Sequence, residues 1–302
     1  NIRNFSYASV GNSGELAEYS YWSDIFKGLA SDASKKKSIP AKKRINLIPL
    51  AGRGSRFADR GYKDPKPLIQ VDGEAMVVHA AKSLPPAEKN VFICLADHLK
   101  RYPLQETLER AFPGSDVVPL SEVTEGQAIT VSLGLKQEDY DYPLLIAASD
   151  NGMLYDWSRF ESLAEDPKTD MIVFTFSGHP GSARNPKMYG WVKKNGNRAA
   201  GISVKVPISE NPIQDDAVVG AFYFKSAGLF MDILSEMKEK NIRVNGEFYA
   251  DSMAGIAVER GLNVQVLRVD HYICWGTPDE YNTYQYWKEF FSKVSWHPYG
   301  KK

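Results

Sequence analysis

The amino-acid sequence predicts an α/β fold of three layers, in which helices cover both faces of a mixed, mostly parallel central sheet. Two observations support this prediction. From residue 44 onward, apolar runs of strand length alternate with segments that have helical spacing. The first run, 45–50, leads into a glycine-rich turn, which is typical of a buried strand entering a loop. Strands that alternate with helices favour a parallel sheet covered on both sides.

The predicted elements follow one another along the chain without an internal repeat. The irregular, aromatic-rich start of the chain contains a predicted helix around 15–29. Apolar runs predict strands at 45–50, 91–96, 144–148, 171–176, 202–206, 218–224 and 264–269. Helical spacing predicts helices at 75–83, 99–111, 128–135, 227–240, 249–260 and 279–288.

Composition divides the chain into three segments. Residues 1–43 form an N-terminal extension, 44–290 the α/β domain, and 291–302 a C-terminal tail. Six of the ten residues 35–44 are Lys or Arg. This basic run could bind phosphate, but we favour a solvated linker because the run adjoins the start of the domain.

Charge and cysteine content exclude several classes of protein. Lys plus Arg and Asp plus Glu number 37 each, so no net charge favours nucleic acid or an acidic membrane as partner. No apolar run approaches the roughly 18 residues of a membrane-spanning helix, and the first residues do not resemble a signal peptide. We therefore expect a cytoplasmic protein. Its two cysteines, Cys94 and Cys274, lie in apolar runs and predict neither a disulfide framework nor a zinc site.

The loop after the first strand contains the most informative residues. Gly52 and Gly54 allow a tight turn and bring backbone N–H groups close to an anion. Arg56 offers a planar set of donors to phosphate oxygens. Lys66 adds a second positive charge, in a loop that prolines on both sides make stiff. The loop is not a Walker A motif, and Phe57 replaces the third glycine of a dinucleotide-binding fingerprint.

This loop, together with Pro65-Lys66-Pro67-Leu68, resembles the signature of the sugar-phosphate nucleotidyltransferases. That family comprises sugar-nucleotide pyrophosphorylases and their cytidylyltransferase relatives. The resemblance runs in order through residues 44–286, about four-fifths of the chain. It implies a Rossmann-like, GT-A-like nucleotidyltransferase fold, and it implies that Arg56 and Lys66 stabilise charge as pyrophosphate leaves. The loop residues implied to wrap the triphosphate are Leu50, Ala51, Gly52, Gly54 and Ser55.

Two further motifs extend the resemblance to the nucleotide and the metal. Gly126 and Gln127 lie at the start of a predicted helix, where the family contacts the nucleobase, although an ordinary helix start would also explain them. Asp150 follows the run 144–148, at the edge where open α/β sheets bind ligands. It resembles the family's metal-binding aspartate, which implies Mg²⁺ as cofactor.

The second substrate is implied by motifs in the later half of the chain. Tyr189 and Gly190 resemble the family's Tyr-Gly strand, whose glycine faces the sugar. Lys205 stands where the family usually has Glu-Lys-Pro and is implied to bind the phosphate of this substrate. In this chain Val204 replaces the glutamate. Glu247 lies in the acidic substrate loop and could contact a hydroxyl, or it could be an exposed residue at a helix start.

One departure from the family concerns the metal. The late motif commonly reads Asp-x-Gly-Thr-Pro, with the aspartate as second metal ligand, whereas this chain has Cys274 at that position. A thiol is a poor ligand for Mg²⁺. The second metal contact therefore stays open between water, Glu247 and Asp251.

The resemblance implies an enzyme that transfers a nucleoside monophosphate from a nucleoside triphosphate to a phosphorylated small molecule, first of all a sugar 1-phosphate. Pyrophosphate is the other product, and the implied setting is precursor synthesis for bacterial surface polysaccharide. Two alternatives are a nucleotide-sugar-dependent glycosyltransferase, whose Asp-x-Asp motif is missing around Asp150, and a non-catalytic nucleotide-binding module. A homo-oligomer is left open.

Overall fold

A nine-stranded mixed sheet forms the centre of the computed structural model, which describes residues 8, 10–35 and 39–301. Four shorter strands form two further two-stranded sheets. The strands are β1 (Lys42–Leu50), β2 (Gln70–Val71), β3 (Glu74–Ala75), β4 (Ala87–Leu95), β5 (Asp116–Leu120), β6 (Leu144–Ile146), β7 (Asn151–Leu154), β8 (Met171–Phe176), β9 (Gly190–Asn195), β10 (Arg198–Val204), β11 (Asp216–Phe224), β12 (Val264–Arg268) and β13 (His271–Cys274). The helices are α1 (Ser13–Lys35), α2 (Ser55–Ala58), α3 (Met76–Ala81), α4 (Ala96–Arg101), α5 (Leu104–Ala111), α6 (Gln127–Leu133), α7 (Trp157–Glu165), α8 (Pro180–Arg184), α9 (Ala227–Glu239), α10 (Ala250–Glu259) and α11 (Pro278–Lys293).

The order of the strands places the carboxyl ends of the first strands at one edge. The central sheet runs β5-β4-β1-β6-β11-β8-β12-β10-β9. Strands β5, β4, β1 and β6 are parallel, as are β8 and β12, whereas β11 is antiparallel to β6 and β8. The loops that follow β1, β4 and β6 therefore leave the sheet at the same edge, where ligands bind in α/β folds.

Alternating side chains of the central strands enter two separate cores. In β1, Ile45 and Leu47 pack with residues of α6, α9 and α10. Ile48 and Leu50 point to the opposite face and pack with residues of α3, α5 and α7. Because side chains alternate along a strand, one strand supplies both cores. The three-layer α/β prediction is confirmed.

A third cluster joins the two ends of the chain. Trp22 and Phe26 of α1 are buried together with Tyr284 and Phe291 of α11. Phe26 stacks on Tyr284 with ring centroids 5.6 Å apart. The predicted helix over 15–29 is present but longer, since α1 spans Ser13–Lys35. The division into 1–43, 44–290 and 291–302 stays a proposal, and residues 1–7, 9 and 36–38 of the extension and basic run lie outside the described residues.

The basic run continues into the sheet. Strand β1 begins at Lys42, earlier than predicted, because Lys42 already pairs with Ala87 of β4. The side chains of Lys42 and Arg44 also have a partner on α7. Arg44 is buried and its Nη2 lies 3.1 Å from Glu161 Oε1, while Lys42 Nζ lies 3.3 Å from the other oxygen of Glu161. A buried guanidinium needs such a partner.

Some elements differ from the prediction. The helix predicted over 99–111 is two helices, α4 and α5, because Pro103 lies between them and removes a backbone donor. Strands β2, β3, β5, β7 and β13 and helices α2, α7 and α8 were not predicted. Among the described residues, strands β7 and β13 pair only with each other. Such short strands lack the long apolar run that marks a central strand. Within the described part of the chain, no helix has the length and apolar character that crossing a membrane requires.

Candidate active site

The loop after β1 folds back onto the proline-flanked lysine. Gly54 has a φ of +64°, a conformation that glycine adopts easily. A Cβ at this position would lie 3.0 Å from the Cβ of Lys66, so the two segments approach closely. Phe57 in α2 is buried in the third cluster and anchors the loop. The Lys66 ammonium lies 5.8 Å from the centre of the Phe57 ring.

Lys66 contacts two segments from distant parts of the sequence. Its Nζ donates a hydrogen bond to Asp150 Oδ2 at 2.5 Å and another to the backbone oxygen of Gly276 at 3.0 Å. The side chains of Lys66 and Asp150 are 16% and 28% exposed. The pair is therefore partly buried but open to a ligand on one side.

The charges around Asp150 keep it ionised. Burial alone would raise the pKa of its carboxyl group, but the Lys66 ammonium and the charge of Arg56 lower it, and the net pKa lies below the usual value. Arg56 itself is exposed in α2. Two cations thus face one carboxylate beyond the carboxyl end of β6, an arrangement that suits phosphate groups.

Cys274 lies beside this pair and behaves as a buried thiol. Burial, followed by the charges of Glu280 and Asp150, raises its pKa well above the usual value. Its sulfur accepts a hydrogen bond from the backbone N–H of Gly276 at 3.4 Å. A protonated thiol is not a ligand for a hard cation.

Glu280 is a nearby carboxylate that sequence reasoning missed. Its Oε2 accepts a hydrogen bond from Thr277 Oγ1 at 3.0 Å, and Thr277 Oγ1 in turn accepts one from the backbone N–H of Glu280. The signal was visible, because Thr277-Pro278-Asp279-Glu280 has the spacing of a capping box at a helix start. Tyr189 donates a hydrogen bond to Glu280 Oε1 at 3.4 Å.

A cleft of about 440 Å³ extends from this group of residues. Its lining includes Arg56, Cys274, Glu280, His179 and Met188. The cleft therefore borders both the phosphate-binding loop and Met188, the residue before Tyr189 in the second group of predicted residues.

The second group joins Tyr189, Gly190 and Lys205. The backbone N–H of Lys205 donates to the oxygen of Tyr189 at 3.0 Å, and its Nζ donates to the oxygen of Met188 at 3.4 Å. The same ammonium lies 5.1 Å from the centre of the Tyr249 ring. Lys205 has a φ of +61°, which is strained for a residue with a side chain. Strain of this kind is often found at functional sites.

The remaining predicted residues form a third group. A Cβ at Gly126 would lie 2.6 Å from the backbone nitrogen of Phe248, so this glycine allows two loops to meet. Gln127 begins α6 and is partly buried. Glu247 is exposed in a turn closed by backbone hydrogen bonds with Val244.

Comparison with known proteins finds a nucleotidyltransferase domain in this chain. Residues 47–192 match the model of the MobA-like NTP transferase domain. No curated protein matches the chain in sequence.

Solved structures of low sequence identity share the fold. A nucleoside-diphosphate-sugar pyrophosphorylase from Vibrio cholerae superposes with a TM-score of 0.64 at 21% identity, over 79% of this chain and 98% of its own. A putative glucose-1-phosphate thymidylyltransferase from Bacillus anthracis gives 0.62 at 16% identity, over 80% of this chain and 93% of its own. The inositol-1-phosphate CTP transferase from T. maritima also gives 0.62 at 16% identity, over 85% of this chain and 100% of its own.

The matched residues 47–192 contain the loop with Arg56, as well as Lys66 and Asp150. The solved structures share the fold of this chain over about four-fifths of its length. Residues 47–192 therefore form a MobA-like NTP transferase domain, and the chain is a nucleotidyltransferase.

Proposed function

We propose that the protein transfers a nucleoside monophosphate from a nucleoside triphosphate to a small phosphorylated acceptor. The acceptor that we favour is a sugar 1-phosphate. The proposal rests on the hydrogen bond between Lys66 and Asp150 at the edge of the sheet where α/β folds bind ligands. Arg56 adds a second positive charge that lowers the pKa of Asp150. The names of the solved relatives point to sugar or inositol phosphates as acceptors.

The proposed reaction is an in-line displacement at the α-phosphorus. An oxygen of the acceptor phosphate forms the new P–O bond while the bond to the β-phosphate oxygen breaks, and pyrophosphate leaves with the electron pair. Arg56 and Lys66 neutralise the charge that grows on the leaving group. A phosphate dianion is already deprotonated near neutral pH, so no protein nucleophile is required. Alignment and electrostatics supply the rate.

The residues around Gly276 fit a magnesium ion. A Cβ at Gly276 would lie 3.3 Å from Asp150 Oδ2 and 3.6 Å from Glu280 Oε2, so its absence keeps the space between two carboxylates open. Among the described residues no group of three or more acidic, His or Cys side chains forms a metal cage. Mg²⁺ usually takes one or two carboxylates plus substrate phosphates, and Asp150 would provide the first. Bound there, the ion would neutralise phosphate charge.

The other predicted residues receive roles by their positions. We assign the triphosphate to the backbone of Leu50, Ala51, Gly52, Gly54 and Ser55, and the nucleobase to Gly126 and Gln127. The acceptor is assigned to Tyr189, Gly190, Lys205 and Glu247. On the resemblance of these motifs, we propose a cytoplasmic role in making an activated precursor for bacterial surface polysaccharide.

The test is pyrophosphate release with Mg²⁺, each of CTP, UTP, GTP and dTTP, and a panel of sugar 1-phosphates and phosphorylated alcohols. We expect one triphosphate and acceptor pair to support turnover. In that pair Arg56→Ala should reduce turnover at least about tenfold. Arg198→Ala is the matched control, because Arg198 is an exposed arginine at the start of β10, six residues and roughly 20 Å from its site end. Unchanged turnover in Arg56→Ala would contradict the assignment.

A further inference from the structure

The acceptor motif lacks one acidic group. Where the resemblance leads us to expect Glu-Lys-Pro, the chain has Val204 before Lys205. Lys205 can bind a phosphate, but strand β10, which ends just before it, contains no carboxylate for the rest of the acceptor. A second contact would have to come from another element.

Helix α10 places a carboxylate at this position. Asp251, in the first turn of α10, lies so close to Gly190 that a Cβ on Gly190 would be 2.4 Å from Asp251 Oδ2. Any other residue at position 190 would displace this carboxylate. Gly190 thus has a physical role, which is to let Asp251 reach the start of β9 beside Tyr189.

The charge of Lys205 influences the pKa of Asp251, although the two side chains do not form an ion pair. Burial raises the pKa of Asp251 to about 6, and the charge of Lys205 opposes that rise. Within the described residues neither side chain forms an ion pair. Lys205 instead bonds the oxygen of Met188 and lies over Tyr249. A cation and a carboxylate are therefore both available to one ligand that carries a phosphate and hydrogen-bond donors.

We propose that Asp251 takes the place of the glutamate that is missing at position 204, where the chain has Val204. Asp251 accepts hydrogen bonds from hydroxyl groups of the acceptor, while Lys205 binds the acceptor phosphate. This inference rests on the proposed function. The acceptor class it names is a phosphorylated polyol, meaning a sugar or cyclitol phosphate. A carboxylate also attracts an ammonium group, so a phosphorylated amine is the acceptor class that the experiment must separate from a polyol phosphate. A site that hydrogen-bonds substrate hydroxyls discriminates strongly against analogues that lack them.

The first experiment is direct binding, which does not depend on turnover. Isothermal titration calorimetry of the full chain with glucose 1-phosphate, myo-inositol 1-phosphate and ethanolamine phosphate is carried out with wild type, Asp251→Ala and Asp251→Asn. We expect wild type to bind at least one of the two polyol phosphates more tightly than ethanolamine phosphate. Asp251→Ala should weaken that binding at least about tenfold, and Asp251→Asn should weaken it less because its amide oxygen still accepts hydrogen bonds.

Glu259→Gln is the matched control, since Glu259 is an exposed carboxylate at the other end of α10. Binding by this variant should equal that of wild type. Equal binding by Asp251→Ala and wild type, no binding of either polyol phosphate, or a preference for ethanolamine phosphate would each overturn the proposal. Circular dichroism and urea unfolding of Asp251→Ala establish that it is folded, and Asp251→Asn offers a second test with nearly unchanged shape.

Steady-state kinetics separate acceptor recognition from a role at the metal. With the active pair of substrates, Asp251→Ala should raise KM for the acceptor and leave KM for the triphosphate within about twofold of wild type. Equal increases in both, or a loss of kcat alone, would overturn the proposal. Absence of turnover in wild type would refute the proposed function, whereas the binding measurements would still decide the role of Asp251.

Discussion

At the residue scale, the candidate active site depends on a few charged side chains held in unusual surroundings. Lys66 is hydrogen-bonded to both Asp150 and the Gly276 backbone, which fixes the ammonium in place before a substrate arrives. Asp150 stays ionised despite its partial burial, because two cations outweigh the effect of burial on its pKa. Charges fixed in advance stabilise a transition state without reorganisation.

The first prediction concerns the charge of Asp150. Asp150→Asn keeps the shape of the side chain but removes the carboxylate that contacts Lys66 and would hold Mg²⁺. We expect turnover to fall at least about tenfold, and the affinity for Mn²⁺ in the presence of nucleotide, measured by electron paramagnetic resonance, to fall with it. Asp232→Asn, an exposed aspartate on α9, is the control and should match wild type in both measurements. Wild-type metal affinity in Asp150→Asn would contradict the metal assignment.

The second prediction concerns the strain at Lys205. Lys205→Ala and Lys205→Gly both remove the ammonium, but only glycine adopts a φ of +61° without strain. Lys205→Gly should therefore be about 1 kcal/mol more stable than Lys205→Ala in urea unfolding. Both variants should bind the acceptor phosphate more weakly than wild type. If the two variants are equally stable, the backbone at this position is not strained.

At the element scale, α1 is part of the packed structure rather than a separate appendage. Phe26 contacts Tyr284 and Phe291 of α11 and also Tyr299, with ring centroids 4.8 to 5.6 Å apart. Helix α11 carries Glu280 in its first turn. Helix α1 therefore supports the same element that borders the candidate metal site.

The third prediction tests this packing. Phe26 is 0% exposed, so Phe26→Ala should reduce the free energy of unfolding by about 3–5 kcal/mol through the cavity it leaves. Leu16→Ala is the control on the same helix, because Leu16 is 52% exposed and its replacement should change stability by less than about 0.5 kcal/mol. Urea unfolding followed by circular dichroism measures both. Equal effects of the two substitutions would refute the packing role of α1.

At the scale of the whole molecule, one buried carboxylate joins four strands of the central sheet. Asp216 of β11 accepts two hydrogen bonds from Arg268 of β12, both at 2.8 Å, and lies 2.7 Å from Lys194 of β9. Thr175 of β8 donates a further bond at 3.0 Å. Burial alone would raise the pKa of Asp216, but the hydrogen bonds from Arg268 and Lys194 lower it below the usual value.

The fourth prediction follows from that lowered pKa. A group whose pKa is lower in the folded protein stabilises the fold above its unfolded pKa, about 3.9 for Asp, and loses this effect as the pH falls. Asp216→Asn should cost about 2 kcal/mol near pH 7, less than a fully buried pair because Arg268 is partly exposed. The difference between wild type and variant should shrink below about pH 4. Chemical unfolding at several pH values measures it, and a difference independent of pH would contradict the role of the charge.

Much of the fold and part of the candidate site could be predicted from local patterns. All seven predicted strands appear in the central sheet, six with at least one shifted end and the strand over Met171–Phe176 with the predicted bounds. Arg56, Lys66 and Asp150 were singled out because the ends of strands and glycine-rich turns can be recognised in sequence. Helices α4 and α5 were predicted as one helix over 99–111, and the short strands β7 and β13 were missed. Segments this short have too few residues for a clear period.

Local chemistry therefore determined, from the sequence alone, the three-layer class of the fold and the type of loop that follows its first strand. Periodicity and turn residues act over a few neighbours and can be read without knowing the rest of the chain. Only the tertiary structure decided that Lys66 bonds Asp150, 84 residues away, that Asp251 fills the space beside Gly190, and that α1 packs against α11. These contacts depend on which buried faces meet across the whole chain, and burial is a property of the assembled sheet and helices rather than of any local segment.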